Sequence, residues 1–253
     1  MKRDKEIKLL KMTINFYHEL FYKQKKEELS PQWEALAKWD IEQLEIKKFK
    51  IGYCPETDEF VKHYAEILNT YPAITETLCN LGFIKKENNN IKDALRGHFL
   101  FPCYDEKGEL LNLAVYHQKT GWKLLYPYDP LGIFGLWQVS YELTDYGLAF
   151  LLPDIISFFA FKKLLYPTGV NPCLACLKGI NAPLWEKLES LGVGQVLVIG
   201  QEVPKELNTY MEVLVFPDKG NSLANLKATL PHLANQRFRR LIEVGLEVMK
   251  IKE

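Results

Sequence analysis

Two cysteines stand close enough together in the sequence to suggest a metal site. Cys173 and Cys176 form a Cys-x-x-Cys pair, which is half of the ligand set of a typical structural zinc ion. Such an ion takes four ligands, and no second pair exists among the remaining cysteines, which are Cys54, Cys79 and Cys103. We therefore interpret the pair as buried or incidental, and we expect no zinc. The odd number of cysteines also indicates no disulfide framework.

The sequence lacks the other common catalytic motifs. It contains no GxGxxG, no GxxxxGKS or GxxxxGKT, and no GxSxG pattern. Its histidines are dispersed along the chain, so they predict neither a metal pair nor a catalytic triad. They are His18, His63, His98, His117 and His232.

The composition indicates a folded chain without a strong overall charge. Of the 253 residues, 47% are hydrophobic and 13% are aromatic, which excludes general disorder and is enough for a sizeable core and two subdomains. Lysine plus arginine and aspartate plus glutamate number 32 each, so the molecule has no net field that attracts nucleic acid. Any nucleic-acid contact must therefore come from local patches.

The sequence gives no sign of export or membrane insertion. Its first residues, MKRDKEIKLL, lack the apolar core of a signal peptide, and no apolar run reaches membrane-spanning length. We therefore expect a cytoplasmic location and no membrane partner.

Helices are predicted for the first part of the chain. Apolar residues at helical spacing indicate an amphipathic helix from about Asp4 to Leu29. Ser30 and Pro31 predict the start of a second helix, and the capping-box pattern at Asp40 to Gln43 predicts a third that ends near Lys48.

Two more helices and a loop are expected before the first sheet. Thr57 or Asp58 is expected to cap a helix that runs through Leu68, and Ile74 to Leu81 forms another, with Gly82 as its C-terminal cap. The residues from Lys85 to Lys92 are predicted to form a polar loop.

A three-stranded antiparallel meander is predicted next. Its strands are Phe99 to Tyr104, Leu110 to His117 and Trp122 to Tyr126, and its first turn is Asp105 to Gly108. The chain is then expected to be irregular until Gly135.

The second half of the chain predicts a mostly parallel sheet. Continuous apolar strands alternate with helices, as in a sheet that is covered on both faces. The strands are Leu148 to Leu152, Cys173 to Leu177, Gln195 to Ile199 and Met211 to Phe216, and the helices are Asp154 to Leu165 and Ala182 to Leu191. From Ser222 the tail is predicted to be helical with a break at Pro231.

These elements predict an α+β N-terminal subdomain followed by an α/β unit. The N-terminal subdomain combines helices with the antiparallel meander, and the α/β unit has a mostly parallel sheet. We expect four segments: N-terminal helices at 1–48, the α+β subdomain at 49–145, the α/β unit at 146–221 and C-terminal helices at 222–253.

Several segments resemble, in the same order, the catalytic core of bacterial DnaG-type primases. FKIGYCP at Phe49 to Pro55 resembles the FxIGYAP signature of that family. Leu95 to Pro102, followed by Asp105-x-x-Gly108, resembles the FRxRIMFPIxDxxG segment, and the α/β unit resembles the Toprim unit. The resemblance extends from about Asp40 to Asn221. No Cys/His cluster precedes Phe49, so we expect the family's N-terminal zinc-binding domain to be absent.

The resemblance implies a magnesium site that this sequence has largely lost. The family places a glutamate in LVEG and two acids in DxD at neighbouring strand ends, where they hold magnesium for phosphoryl transfer. Here these motifs read LLPD at Leu151 to Asp154 and GQE at Gly200 to Glu202. The candidate catalytic residues that remain are Asp154, Glu202 and Asp218, and Glu202 and Asp218 are the candidate metal ligands. We expect no cofactor unless these acids rebuild a site for magnesium or manganese.

The resemblance also implies a nucleic-acid contact that keeps only some of the family's basic residues. Arg96 stands on the first arginine of FRxR, and His98 replaces the second. The family's GGR aligns with Ala114-Val115-Tyr116, so its arginine is lost, although Tyr116 and His117 can still stack on a base. Lys123 fits a lysine of the KYLNSP segment. These five residues are the candidate nucleic-acid contacts. Each of them can also be an ordinary solvated cation or strand side chain that does not contact nucleic acid.

Three functions follow from this resemblance. The first is a catalytically degenerate primase-like protein of DNA replication or recombination, which binds single-stranded DNA or RNA or a partner such as a replicative helicase. The second is an active primase that uses the rearranged acids. The third is an interaction scaffold without nucleic acid, which docks through its first helix and its arginine-bearing last helix.

Overall fold

The computed structural model describes residues 2–24, 30–88, 90–125, 131–205, 207 and 210–252, which fall into two compact units. The N-terminal unit comprises Met1–Ala37, Ile41–Cys103 and Leu110–Asp129, and the C-terminal unit comprises Lys38–Asp40, Tyr104–Glu109 and Pro130–Glu253. The four expected segments are a finer division and stay a prediction. None of the described helices is long and apolar enough to cross a membrane.

The N-terminal unit begins with helices. They are α1 Lys2–Lys23, α2 Ser30–Lys38, α3 Gln43–Phe49, α4 Glu59–His63, α5 Ala65–Thr70 and α6 Pro72–Asn80. The apolar residues that predicted α1 are buried to 2% exposure or less, and they are Leu10, Ile14, Tyr17 and Phe21. Phe21 stacks on Trp33 of α2 at 5.1 Å between ring centroids. The helical spacing of these side chains therefore creates the apolar face that anchors α1.

A short strand passes unusually close to α1. Strand β1, Gly52–Tyr53, lies against the backbone of the helix. A methyl group on Gly52 would lie 3.0 Å from the backbone nitrogen of His18 and 3.1 Å from the carbonyl carbon of Tyr17. His18 also places its Nδ1 atom 2.8 Å from the carbonyl oxygen of Ile51. The glycine of the FKIGYCP segment is therefore required by packing.

The predicted meander is present and gains a fourth strand. Strands β4 His98–Tyr104, β5 Leu110–His117 and β6 Gly121–Leu124 follow the hairpin of β2 Ile84–Glu87 and β3 Asn90–Asp93. The order in the larger sheet is β1-β4-β5-β6, with β1 antiparallel to β4 and β6 antiparallel to β5. Tyr126, the predicted end of the last strand, lies outside the described residues.

Some local predictions for the N-terminal unit were wrong. Helix α1 ends at Lys23, and residues 25–29 lie outside the description. Helix α3 begins at Gln43 after an extended Glu42, so the capping box predicted from Asp40 is not formed. The carboxylate of Asp40 instead pairs with Nζ of Lys163 at 2.5 Å. The predicted loop at 85–92 is the β2–β3 hairpin, because cross-strand pairing satisfies the backbone of these polar residues.

One predicted cap is supplied by a different residue. The helix expected up to Leu68 is divided at Tyr64 into α4 and α5. The first turn of α4 donates the N–H groups of Phe60 and Val61 to the carboxylate of Asp93, at 3.1 Å each. Asp93 is 33 and 32 residues away from these donors, so tertiary structure rather than a local capping residue satisfies this helix start.

The C-terminal unit is the predicted α/β unit. Its elements are β7 Ile133–Phe134, α7 Leu136–Tyr146, β8 Leu148–Leu152, α8 Ile155–Leu165, β9 Cys173–Cys176, α9 Ala182–Ser190, β10 Gln195–Ile199, β11 Glu212–Phe216, α10 Ser222–Thr229 and α11 Gln236–Lys252. The sheet order is β11-β10-β8-β9-β7, and every pair is parallel except β7 with β9. The predicted fold class is therefore confirmed, although β7 replaces part of the stretch expected to be irregular.

The central strands of this sheet are fully buried. Every residue of β8, β9 and β10 is buried, as their continuous apolar sequences predict. Cys173 and Cys176 lie within β9 and are both buried. Because β8, β10 and β11 are adjacent and parallel, their carboxyl ends meet at one edge of the sheet.

Candidate functional site

One face of the N-terminal sheet brings three predicted contact residues together. The rings of His98 and His117 lie 4.7 Å apart between centroids, with 32° between their planes. Lys123 on β6 is opposite Val115, two residues before His117, so it lies on the same face of the sheet. We call His98, His117 and Lys123 the histidine face.

The turn before β4 positions the two histidines. Gly97 has a φ of 72°, and a methyl group there would lie 2.6 Å from Oε1 of Glu56 and 3.2 Å from Nε2 of His117. The N–H of Gly97 donates to the carbonyl of Cys54 at 2.8 Å, and the N–H of Cys54 donates to the carbonyl of His98 at 2.9 Å. A glycine is therefore needed where the FKIGYCP segment meets the segment from Leu95 to Pro102.

Hydrogen bonds determine which nitrogen of each imidazole carries a hydrogen. Nδ1 of His98 lies 3.0 Å from the carbonyl oxygen of Leu95 and 2.9 Å from that of Arg96, and a carbonyl only accepts. Nδ1 of His98 is therefore a donor. Nδ1 of His117 accepts the backbone N–H of Lys119 at 3.2 Å, so a neutral His117 carries its hydrogen on Nε2.

The surroundings of His98 oppose a positive charge. Burial lowers the pKa of His98 below its usual value, and the nearby His117 and Lys123 lower it further. The two backbone carbonyls at Nδ1 act in the opposite direction but do not cancel the effect. His98 is consequently biased toward the neutral form.

Arg96 lies beside this face but is engaged by an acid. Its Nε donates to Oδ1 of Asp58 at 3.0 Å, and Nη2 donates to the same oxygen. Partial burial opposes ionisation of Asp58, but the hydrogen bonds from Arg96 and from the backbone N–H of Asp93 outweigh it, so the pKa of Asp58 is lowered. From the sequence, Asp58 was predicted only as a possible helix cap. Nothing in its neighbouring residues indicated that it pairs with Arg96.

Tyr116 lies on the opposite face of the sheet. Its ring packs against Trp122 at 4.9 Å, and Trp122 in turn packs against Phe101 at 5.2 Å. Alternation along β5 therefore separates Tyr116 from His117. Of the five predicted contacts, the structure brings three together, pairs Arg96 with an acid and turns Tyr116 away.

The predicted acids lie where the parallel strands of the C-terminal unit end. We call this place the acid edge: Pro153–Asp154 after β8, Gly200–Glu202 after β10 and Pro217–Asp218 after β11. Asp154 uses its carboxylate as the N-cap of α8 and accepts the N–H of Ser157 at 2.8 Å. Glu202 is exposed.

Asp218 is held by hydrogen-bond donors from its own loop. Its Oδ1 accepts the side-chain amide of Asn225 at 2.8 Å and the N–H of Gly220 at 2.9 Å. The Asn225 amide and then the Gly220 N–H lower the pKa of Asp218. Asn225 is itself buried and accepts the N–H of Lys219 at 2.7 Å, which fixes the loop around the acid.

The side chains of the acid edge do not fit a Toprim magnesium site. Pro153 and Gly200 carry no ligand atom at two positions where the resemblance places acids, and the carboxylate of Asp154 caps a helix. A cavity of about 80 Å³ is lined by residues that include Pro153, Ser157, Asp218 and Asn225. Across the described ranges, no group of three or more His, Cys, Asp or Glu side chains could hold a metal ion.

Comparisons with known proteins agree with this fold. Residues 16–114 match the family model for the N-terminal domain of the DNA primase catalytic core. The structure resembles a DnaG primase catalytic domain bound to single-stranded DNA, with a TM-score of 0.69 and 15% identity over 95% of this chain and 81% of the other. No curated protein shows significant similarity to the chain.

Two further solved structures give the same result. The RNA polymerase domain of Mycobacterium tuberculosis DnaG, in complex with double-stranded DNA, has a TM-score of 0.69 and 15% identity over 95% of this chain and 80% of the other. The Escherichia coli primase catalytic core has a TM-score of 0.67 and 15% identity over 94% and 79%. The chain therefore has the fold of DnaG-type primase catalytic cores over nearly its whole length, and its residues 16–114 match the N-terminal domain of that core.

Proposed function

We propose that this chain is a catalytically degenerate, primase-like protein of DNA replication that binds single-stranded nucleic acid at the histidine face. The observation that carries the proposal is the grouping of His98, His117 and Lys123 on one face of the sheet. Lys123 supplies an exposed cation for phosphate, and the imidazoles supply ring faces and N–H donors. The single-stranded DNA bound to a similar catalytic domain supports the choice of ligand.

The condition of the acid edge supports the loss of catalysis. Nucleotidyl transfer in the family depends on oxygen ligands that hold magnesium against phosphate. Here Asp154 and Asp218 are tied into a helix cap and a loop, and Pro153 and Gly200 offer no ligand. The chain would then act as a binding partner of another replication protein, such as a replicative helicase.

Binding is tested with a labelled single-stranded oligonucleotide. Fluorescence anisotropy across a range of salt concentrations should give an affinity that falls as salt rises, because phosphate contacts release counterions. Lys123→Gln should weaken binding and reduce the salt slope by about 0.7, which corresponds to one phosphate contact on a single strand. Lys23→Gln is the matched control, since Lys23 is an exposed lysine that pairs with Glu19 on α1. Equal losses in the two variants, or no binding, would refute the proposed interface.

Catalysis is tested by primer synthesis on a single-stranded template with magnesium or manganese. We expect no product from the purified chain. Synthesis that Glu202→Ala abolishes would instead establish an active primase with a rearranged site. Binding of DNA and synthesis of primers are measured separately, so one half of the proposal can fail without the other.

A further inference from the structure

His98 and His117 differ in how they can take up a proton. His98 donates from Nδ1 to the carbonyls of Leu95 and Arg96, and it keeps these contacts whether it is neutral or charged. Its free proton-accepting atom is therefore Nε2. Nδ1 of His117 is occupied as the acceptor of the Lys119 N–H. His98 can therefore accept a proton at Nε2 while both of its backbone contacts stay in place.

The surroundings of His98 oppose its protonation in the free protein. Partial burial of the ring is the main cause of its lowered pKa, and the nearby His117 on β5 and Lys123 on β6 lower it further. From the loop after β1, Glu56 and Asp58 face the same turn, but Asp58 is neutralised by Arg96. Asp93 is buried and binds the first turn of α4. The histidine face thus presents the cation of Lys123 and a nitrogen of His98, Nε2, that can accept a proton.

A phosphate placed on this face would reverse that balance. Its negative charge would offset Lys123 and favour an imidazolium at His98, while His117 would donate its Nε2–H to a phosphate oxygen. We propose that binding of nucleic-acid phosphate at the histidine face takes up one proton from solvent onto Nε2 of His98, which then donates that hydrogen to the phosphate. This inference rests on the proposed function, because it assigns a proton-coupled contact to the same site.

Linkage determines what the coupling does to affinity. If the bound phosphate raises the affinity of His98 for a proton, a proton on His98 must raise the affinity for the phosphate by the same factor. Lower pH must therefore tighten binding. The dependence can reach about tenfold per pH unit while the free ring is neutral and the bound ring is charged. The site would then hold nucleic acid more tightly as the pH falls.

The test uses isothermal titration calorimetry with the full chain and an oligothymidylate of about ten nucleotides. Thymine does not titrate between about pH 5 and 8, so a change in this range reports histidine. Titrations in two buffers with different ionisation enthalpies give the number of protons taken up. We expect uptake of up to about one proton per oligonucleotide for the wild type, and affinity that increases as pH falls.

Two variants locate the proton. His98→Asn keeps an amide donor for the backbone carbonyls but cannot titrate, so it should abolish proton uptake and flatten the pH dependence. His63→Asn is the matched control, since His63 is an exposed histidine whose ring contacts Phe16 on the helical side of the unit, and it should behave as wild type. Uptake that persists in His98→Asn, or binding without uptake in the wild type, overturns the inference and leaves the proposed function standing.

A second measurement does not depend on a variant that folds. In the wild type, the imidazole signals of His98 are followed by NMR during a pH titration, with and without the oligothymidylate. We expect the midpoint of His98 to rise when the ligand is present, and an unchanged midpoint overturns the inference. Absence of binding at every pH would overturn both this inference and the proposed interface.

Discussion

Gly200 lies directly against Asp218 at the acid edge: a methyl group on Gly200 would be 3.2 Å from Cβ of Asp218 and 3.9 Å from Cγ of Pro153. Gly200 also has a φ of 64°, which side chains rarely adopt. A side chain at Gly200 would therefore need a backbone conformation that is strained for it and a small shift of Asp218.

The variant Gly200→Asp should lose stability and should show no primer synthesis. We expect the free energy of unfolding to fall by about 2 kcal/mol, from the positive φ, the crowding and the added like charge beside Asp218. Denaturant unfolding measures the loss, and a primer-synthesis assay should stay negative. Gly179→Asp is the control, because Gly179 has a φ of 68° with open space around it. An equal loss in the control would mean that crowding by Asp218 contributes nothing.

Asp154 should behave as a helix cap. Asp154→Ala is expected to lower the free energy of unfolding by about 1 kcal/mol, because the N–H of Ser157 loses its acceptor. Asp154→Ser should retain most of the stability, since serine also caps helices. Thermal unfolding followed by circular dichroism checks both. If Asp154→Ser loses as much stability as Asp154→Ala, the negative charge of Asp154 rather than its hydrogen bond stabilises the helix start.

Gly97 should be essential to the histidine face. Gly97→Ala is expected to reduce the free energy of unfolding by about 2 kcal/mol and to weaken oligonucleotide binding, because the methyl group would strike Glu56 and His117 at a positive φ. Gly121→Ala is the matched control, with a φ of 74° and nothing within 4 Å, and should cost about 1 kcal/mol. Denaturant unfolding and anisotropy provide the two readouts. Binding that survives Gly97→Ala in a folded protein would argue against this face.

His98 should make the stability of the free protein depend on pH. The pKa of His98 in the folded state lies below its usual value of about 6.5, mainly because the ring is partly buried, so in the window just below pH 6.5 the unfolded chain binds more protons. Stability should therefore rise with pH through this window and fall on acidification. The difference between wild type and His98→Asn in denaturant unfolding isolates this contribution. A difference that is constant across the window would contradict it.

Arg96 should contribute to binding only indirectly. Arg96→Gln leaves the charge of Asp58 uncompensated near the histidine face, so we expect weaker binding of single-stranded DNA. The double variant Asp58→Asn/Arg96→Gln removes both charges and should recover the affinity and salt slope of the wild type. Fluorescence anisotropy at several salt concentrations measures the affinity and the salt slope of each variant for comparison with the wild type. A double variant with a salt slope lowered by about 0.7 would show that Arg96 itself contacts a phosphate.

Hydrophobic patterning alone was enough to predict the central strands of the parallel sheet. The strands β8 and β10 are apolar at every position or nearly so, and both have the predicted bounds, because burial on both faces of a parallel sheet leaves no room for polar alternatives. The Asp105–Gly108 turn was also predictable, since Gly108 has a φ of 80° and Asp105 accepts two backbone N–H groups of its own turn. The order of family-like segments predicted the fold of the DnaG-type core, which the structural similarity confirms.

Only the tertiary structure decided which polar residues meet. Asp58 and Arg96 are 38 residues apart, and Asp93 caps a helix more than 30 residues earlier in the chain. Nothing in local spacing encodes these partners, because they depend on how the β2–β3 hairpin and α4 pack. The sequence alone identified which acids and bases remain. The fold decided that Asp154 and Asp218 serve local structure and that His98 and His117 share one face, since strand alternation and loop geometry aim each side chain.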